Sequence, residues 1–490
     1  MTKVLIASAK PWSFCMAVEQ AIAASHAQDR VDILNHFALC SRASPHWRHR
    51  DRLIETVNRK IERFVIPAIN GRDITRAMGI DRGNIPEIPR NYDELRTYEI
   101  DGAKVGLAVL SSVSSLTTIQ FPTSLKEFGP VLESAWRSAH LSLRIGKAVR
   151  ALGYDKLYIF NGRHCYSRPL CDVLEPDTKV IRYEQGSSGN RYISAPESVH
   201  HPTTLARIVE AHDFDREAGE TFYRERLAKD PKTEVALLTS TQSRGTLPHG
   251  IASGKAVTFL TSSSDEMFAV TDEPPYGSFA TQHEVALAAN EACRANGLQL
   301  IVRLHPHLRF KHPSWRREWD FEELRKHGIL VLDPTDASDS YALLRASHCV
   351  ITTGSTIGFE AANFGIPNAV VGTWMAGCLG VAFVANDPHQ LARFIADPKV
   401  LPNARERALL YGSYNKRCGT LLPALDVGIH PNMARLHGRV VDPVRFAVQR
   451  MRFLVHRKHD PLALDISSGL QGGRVLLPPG TDYSSALRRQ

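Results

Sequence analysis

The 490-residue chain has no apolar run approaching the roughly eighteen residues that a membrane-spanning helix requires, which argues against a membrane-crossing protein. Its opening, MTKVLIASAKPW, carries too short an apolar stretch for a secretory signal and no small-residue cleavage pattern, so it reads as a first β-strand. The eight cysteines show no CxxC spacing, and several, such as Cys40 and Cys349, sit inside apolar runs. That usage points to reduced, buried thiols in a cytosolic protein rather than to a disulfide framework. GxGxxG and GxSxG are both absent. The segment GIASGK (250–255) has one residue too few between its glycines for a phosphate loop, and Ala256 stands where a magnesium-binding hydroxyl would be needed. His305, His307 and His312 follow no common zinc spacing, so neither metal nor cofactor is expected.

With 43% apolar residues, the length suffices for two ordinary cores, and two domains are the natural expectation. The formal charge of +9 is concentrated. Between His430 and Asp460, seven Arg or Lys face two Asp, which accounts for more than half of the excess. Asp442-Pro443 forms a helix start, and Val444, Val448, Met451 and Val455 then recur at i, i+4, i+7 and i+11. Residues 443–458 therefore read as a basic amphipathic helix. Such a helix suits an anionic membrane surface, and it equally suits packing on its own domain with the arginines solvated. Nucleic acid is not expected, because the charge lies on one terminal segment without interleaved aromatics or a recognisable nucleic-acid module.

Strand and helix patterns alternate along the chain, the signature of α/β layers with parallel sheets. Apolar runs at 4–9, 31–39, 104–113, 155–160 and 178–184 read as strands, separated by helical stretches at 16–27, 50–65, 131–152 and 203–228. The Gly-, Ser-, Thr- and Pro-rich segment 239–254 breaks this series. A second series follows, with strands near 255–263, 298–306, 329–334, 348–354 and 368–372. The expected domains are 1–245, 246–425 and a basic helix with a mobile Gly/Pro/Ser-rich tail over 426–490.

Two pieces of the second series carry chemistry. Arg303-Leu304-His305-Pro306-His307 follows the apolar LQLIV, and Thr352-Thr353-Gly354-Ser355-Thr356-Ile357-Gly358-Phe359-Glu360 follows CVI. Both should lie at the C-terminal ends of buried parallel strands, which face the ligand crevice of an open α/β sheet. A histidine and a pair of hydroxyls beside a helix start form a site for phosphate or diphosphate. For each residue a plainer reading stands beside this one. His305 could be a surface histidine, Ser355 or Thr356 a helix cap, and Glu360 a first-turn glutamate. Ser262, Ser263 and Ser264 with Asp265 and Glu266 follow the first strand of the second series and would bind donor phosphate or sugar, or cap a helix. Asn161, Gly162 and Arg163 end a strand of the first series, where Arg163 could attract an anionic acceptor or a donor carboxylate.

These motifs, with Glu184-Gln185-Gly186 and the closing Gly365-Ile366-Pro367, resemble the bacterial capsular polysaccharide biosynthesis family, which is related to Kdo transferases and to bacterial sialyl- and polysialyltransferases. The resemblance spans roughly residues 155 to 375. It implies a GT-B fold, two Rossmann-like domains facing a central cleft, here with the C-terminal basic helical extension. It places the acceptor on the first domain and the nucleotide sugar on the second. It assigns the catalytic base to an acidic pair before the glycine. Here Gln185 fills the second slot, which leaves Glu184 as the candidate, or as a carboxylate that caps the turn or pairs with Arg182 or Arg191. In this picture His305 aids departure of the nucleotide, Arg303 and Pro306 frame it, Gly354, Ser355 and Thr356 hold phosphate, and Glu360 bonds the donor ribose.

The expectation is an inverting, metal-independent glycosyltransferase that uses a nucleotide-activated sugar, CMP-linked in the first instance, in bacterial capsular or other surface polysaccharide synthesis. Its partners would be the nucleotide-sugar donor, a glycan or lipid-linked glycan acceptor, and an anionic membrane surface through residues 443–458. It would be cytoplasmic, peripheral at the inner membrane if the helix docks there. The alternatives are a nucleotide-sugar epimerase of the same fold, a CDP-polyol phosphotransferase and a non-catalytic polysaccharide assembly protein.

Overall fold

The computed structural model describes residues 2–7, 29–36, 84–120, 122–187, 191–230, 234–251, 253–263 and 273–422, with isolated positions between them and the backbone of a few residues beyond. Ser264, Asp265, Glu266 and the basic segment 443–458 lie outside the described residues. No helix among the described residues is long and apolar enough to cross a membrane.

The first sheet is built from β1 (Lys3–Ala7), β2 (Arg30–Leu34), β3 (Lys156–Phe160), β4 (Lys179–Gln185) and β5 (Arg191–Ala195). β2, β1, β3 and β4 lie side by side in parallel, and β5 closes antiparallel on β4. The strands read as continuous apolar runs because both faces are covered; in β1 every residue from Val4 to Ala7 is buried. The second sheet contains β6 (Ala256–Leu260), β7 (Gln299–Arg303), β8 (Leu330–Leu332), β9 (Ser347–Thr352), β10 (Asn368–Val371) and β11 (Phe383–Ala385). It is parallel throughout, in the order β11-β10-β9-β6-β7-β8. Counted from its own first strand, this is the 3-2-1-4-5-6 order of a dinucleotide-binding sheet. The fold is thus α/β with two Rossmann-like halves, as the alternation implies.

One expected strand is a helix. The run KVGLAVLSSV belongs to α1 (Val105–Thr117), in which every residue from Val105 to Ser114 is buried. A helix covered on all sides shows no polar face, so its sequence carries neither a period of two nor one of 3.6. Gly106 allows its close crossing, since a Cβ there would lie 1.6 Å from the Leu95 carbonyl oxygen. The stretch expected as one helix over 203–228 is divided into α2 (Pro202–Glu210) and α3 (Arg216–Ala228). The break is set by Asp215, whose side chain caps α3 by accepting from the Ala218 N–H at 3.0 Å.

Helices α2 and α3 precede the irregular stretch 239–254, yet Ala206, Val209 and Tyr223 share a core with Val257 and Phe259 of β6. α3 lies along α4 (Ala404–Arg417), where the Tyr223 hydroxyl donates to the Ala408 carbonyl at 2.7 Å. A Cβ at Gly412 would lie 2.9 Å from the Gly219 carbonyl oxygen, so the two helices cross on glycine. After α4 the chain forms β12 (Thr420–Leu421), which adds antiparallel to β5 and returns to the first sheet. This packing delivers the C-terminal turn of α3 to the ligand end of the second sheet.

Candidate functional site

In an open parallel sheet, ligands settle outside the strand C-termini where the strand order reverses, because the loops on either side diverge there and leave a crevice. In the second sheet that point lies between β6 and β9. A cavity of about 70 Å³ opens at this place, lined among others by Thr261 after β6, Arg303 and His305 after β7, and Ser355, Thr356 and Glu360 after β9. The two sequence motifs, about fifty residues apart, are therefore brought together.

His305 is half-buried and is held from both sides. Its backbone N–H donates to Thr261 Oγ1 at 2.9 Å, and its Nδ1 accepts from the His307 N–H at 3.2 Å, capping a short 3-10 turn over Pro306–Phe310. With Nδ1 accepting, a neutral ring carries its hydrogen on Nε2, the tautomer that can donate to an anion. His312-Pro313 starts a second 3-10 turn in the same way, with His312 Nδ1 accepting from the Ser314 N–H, but His312 is exposed and does not line the switch-point cavity. The His-Pro pair alone thus specifies a capped turn; position at the switch point distinguishes His305.

Arg303 is 1% exposed, and its Nη2 donates to the Asp336 carbonyl at 3.1 Å while Nη1 lies 3.4 Å from the Asp336 carboxylate. Burial lowers its pKa from the ordinary arginine value, with Asp336, Asp333 and Asp339 opposing. Pro306 lines the cavity beside it. Gly354 has φ +102°, and a Cβ on it would lie 2.4 Å from the Trp374 ring, so only glycine fits the turn that presents Ser355 and Thr356. Ser355 is half-buried and Thr356 exposed. The Thr356 side chain makes no cap bond to the helix that it opens, Ile357–Asn363. Its hydroxyl instead accepts from Arg226 Nη2 at 3.2 Å.

Glu360 is buried rather than a surface first-turn glutamate, and its Oε1 accepts from Arg226 Nε at 2.6 Å. Arg226, at the end of α3, also lines the cavity and escaped the sequence reading because it lies 134 residues from Glu360 and in no motif. Burial alone would depress its pKa, but Glu360, Tyr341 and Tyr411 together raise it above the ordinary arginine value.

Ser262 does not face the cavity as expected. It is buried, and its hydroxyl donates to the Thr353 carbonyl at 2.6 Å. Gln282 completes this tie: its Oε1 accepts from the Ser262 N–H at 3.0 Å and from the Thr353 hydroxyl at 2.6 Å. Ser262 therefore fastens the loops after β6 and β9 together beneath the site. Ser263, next along, is half-buried and is not among the cavity-lining residues.

The first sheet carries a separate cluster. Asn161, at φ +63° after β3, donates from Nδ2 to Glu184 Oε1 at 2.5 Å. The same nitrogen lies 2.9 Å from His200 Nε2, itself 3.3 Å from Glu184 Oε1. Glu184 does not pair with the arginines weighed for it: Arg182 bonds Glu175 and the Pro196 carbonyl, and Arg191 bonds the Gly419 carbonyl. Its side chain is 16% exposed, open enough to receive a proton and close to a histidine that no sequence motif marked. Gly162 packs on Arg182, and both line a cavity of about 450 Å³ with Arg163, Arg168, Lys104 and His201.

No protein-family model matches the chain, and no curated protein does. Among solved structures, it is similar to the Thermosulfurimonas dismutans KpsC beta Kdo 2,4 transferase, at 15% identity over 53% of this chain and 79% of that one, with a TM-score of 0.30. It is similar to a UDP-N-acetylglucosamine 2-epimerase from Methanocaldococcus jannaschii, at 10% identity over 85% and 98%, with a TM-score of 0.27. A Burkholderia multivorans trehalose 6-phosphate synthase is similar at 12% identity over 95% and 77%, with a TM-score of 0.27. Likenesses this weak carry no argument about activity or substrate.

Proposed function

We propose that the chain is a nucleotide-sugar-dependent glycosyltransferase of GT-B architecture, inverting and independent of metal, with a CMP-linked donor in bacterial surface polysaccharide synthesis. The observation that carries this reading is the cavity at the strand-order reversal of a 3-2-1-4-5-6 sheet, where the polar groups of Arg303, His305, Ser355 and Thr356 converge among apolar side chains. The donor phosphate sits there, and the His305 Nε2–H and the hydroxyls stabilise the negative charge that grows as the nucleotide departs. Glu184 is the base: it takes the proton of an acceptor hydroxyl whose oxygen attacks the anomeric carbon, while the bond from that carbon to phosphate breaks with its electron pair leaving on the phosphate oxygen. Asn161, bonded to the Glu184 carboxylate at 2.5 Å, supports this role by fixing its direction.

The test is a thermal-shift screen of CMP, CDP, UDP and GDP, because a ligand that binds only the folded state stabilises it by about 2.7 kcal/mol at a hundredfold excess over its dissociation constant. A shift with one nucleotide supports the reading; no shift with any at millimolar concentration removes it. Conversion of a donor without any acceptor would identify an epimerase instead.

A further inference from the structure

The Arg226–Glu360 pair crosses the candidate site rather than lying behind it. Arg226 comes from α3, and Thr356 and Glu360 come from the loop and helix after β9, 130 and 134 residues away in sequence. All three line the same cavity. The guanidinium uses Nε for the Glu360 carboxylate at 2.6 Å and Nη2 for the Thr356 hydroxyl at 3.2 Å, so one edge is fixed while its planar fork presents five N–H donors in all. The side chains of Arg226 and Glu360 are 17% and 4% exposed.

We propose that Arg226 is a substrate-binding residue of this site, whose guanidinium takes the phosphate of the donor nucleotide while Glu360 and Thr356 aim it. This rests on the nucleotide-donor reading above. A buried Arg–Glu pair adds little net stability compared with apolar side chains of similar volume, so stability alone does not account for one at a ligand crevice. The charged groups lining the cavity besides His305 are Arg226, Arg303 and the single carboxylate of Glu360, a balance that favours an anion. The planar fork matches two phosphate oxygens at once, which a lysine at the same place would not do. The cavity, of about 70 Å³, takes the phosphoryl group, and the nucleoside extends through its mouth. Glu360 then acts through Arg226 and is a positioning residue.

The experiment is isothermal titration of the full chain with CMP, CDP, UDP, GDP and inorganic phosphate. Arg226→Met alone would strand the buried Glu360 carboxylate, so the informative change is the double variant R226M/E360Q, which removes both charges together. The expected result is nucleotide affinity at least about tenfold below wild type in the double variant. Arg226→Lys keeps the charge beside Glu360 and loses the fork, and it should weaken binding by about threefold or more. Wild-type affinity in both variants makes the pair structural and overturns the proposal. If the wild type binds none of the five probes, the nucleotide reading falls first and this proposal with it.

Discussion

Replacing Glu318 with glutamine should flatten the pH dependence of the protein's stability. Glu318 ends a 3-10 turn over Pro313–Glu318 and is buried, with its two oxygens accepting from the Gln282 N–H at 2.8 Å and from Gln282 Nε2 at 3.1 Å. Burial raises its pKa from 4.5 to about 7 against these two bonds. Below pH 4.5 the carboxyl is neutral in both folded and unfolded chains. Between 4.5 and about 7 the folded chain binds more protons than the unfolded one, so stability falls as pH rises through that window. At about 1.4 kcal/mol per pH unit, the ionised side chain costs roughly 3 kcal/mol above pH 7. Glutamine cannot ionise, and its amide facing Gln282 Nε2 contributes an offset that does not vary with pH. Urea unfolding at intervals from pH 5 to 8.5 should show the wild type losing roughly 2 to 3 kcal/mol relative to Glu318→Gln across the range. Parallel stability curves would refute the reasoning. The consequence reaches the site, because Gln282 also holds Ser262 and Thr353 beneath the switch-point cavity.

Gly354→Ala should destabilise the fold by about 1–3 kcal/mol and weaken nucleotide binding, since φ +102° and the Trp374 ring both exclude a Cβ; an unchanged melting temperature would contradict this. Glu184→Gln should leave nucleotide affinity nearly intact and lower transfer by roughly 10²-fold or more, whereas retained turnover would move the base elsewhere. If residues 443–458 dock on membrane, co-sedimentation with anionic vesicles should fall steeply between low and physiological salt, and neutralising Arg445, Arg450, Arg452 and Arg457 together should abolish it; indifference of the wild type to such vesicles would remove the membrane claim.

The parallel strands were legible because burial on both faces writes continuous apolar runs between turn residues, and both motifs of the second series fell where strand ends put them. α1 was illegible for the same reason: Val105 to Ser114 is as uniformly buried as a strand of the sheet. The switch-point cavity followed from strand order, which local sequence only implies. Arg226 and His200 were invisible because each is defined by a partner brought near through packing, Arg226 by the glycine-mediated contact of α3 with α4, His200 by the turn after β5. Ser262 shows the opposite error. A serine cluster after a strand resembles an anion site, yet this hydroxyl is spent on the Thr353 carbonyl.

Central to the account is a nucleotide phosphate held at the reversal point of the second sheet. Its most direct test is a crystal structure of the protein soaked with the nucleotide that gives the largest thermal shift. Phosphate density should lie within hydrogen-bond reach of His305, Thr356 and Arg226, with the nucleoside extending outward from the cavity mouth. Phosphate density elsewhere on the protein, or an empty cavity at saturating nucleotide, would contradict it.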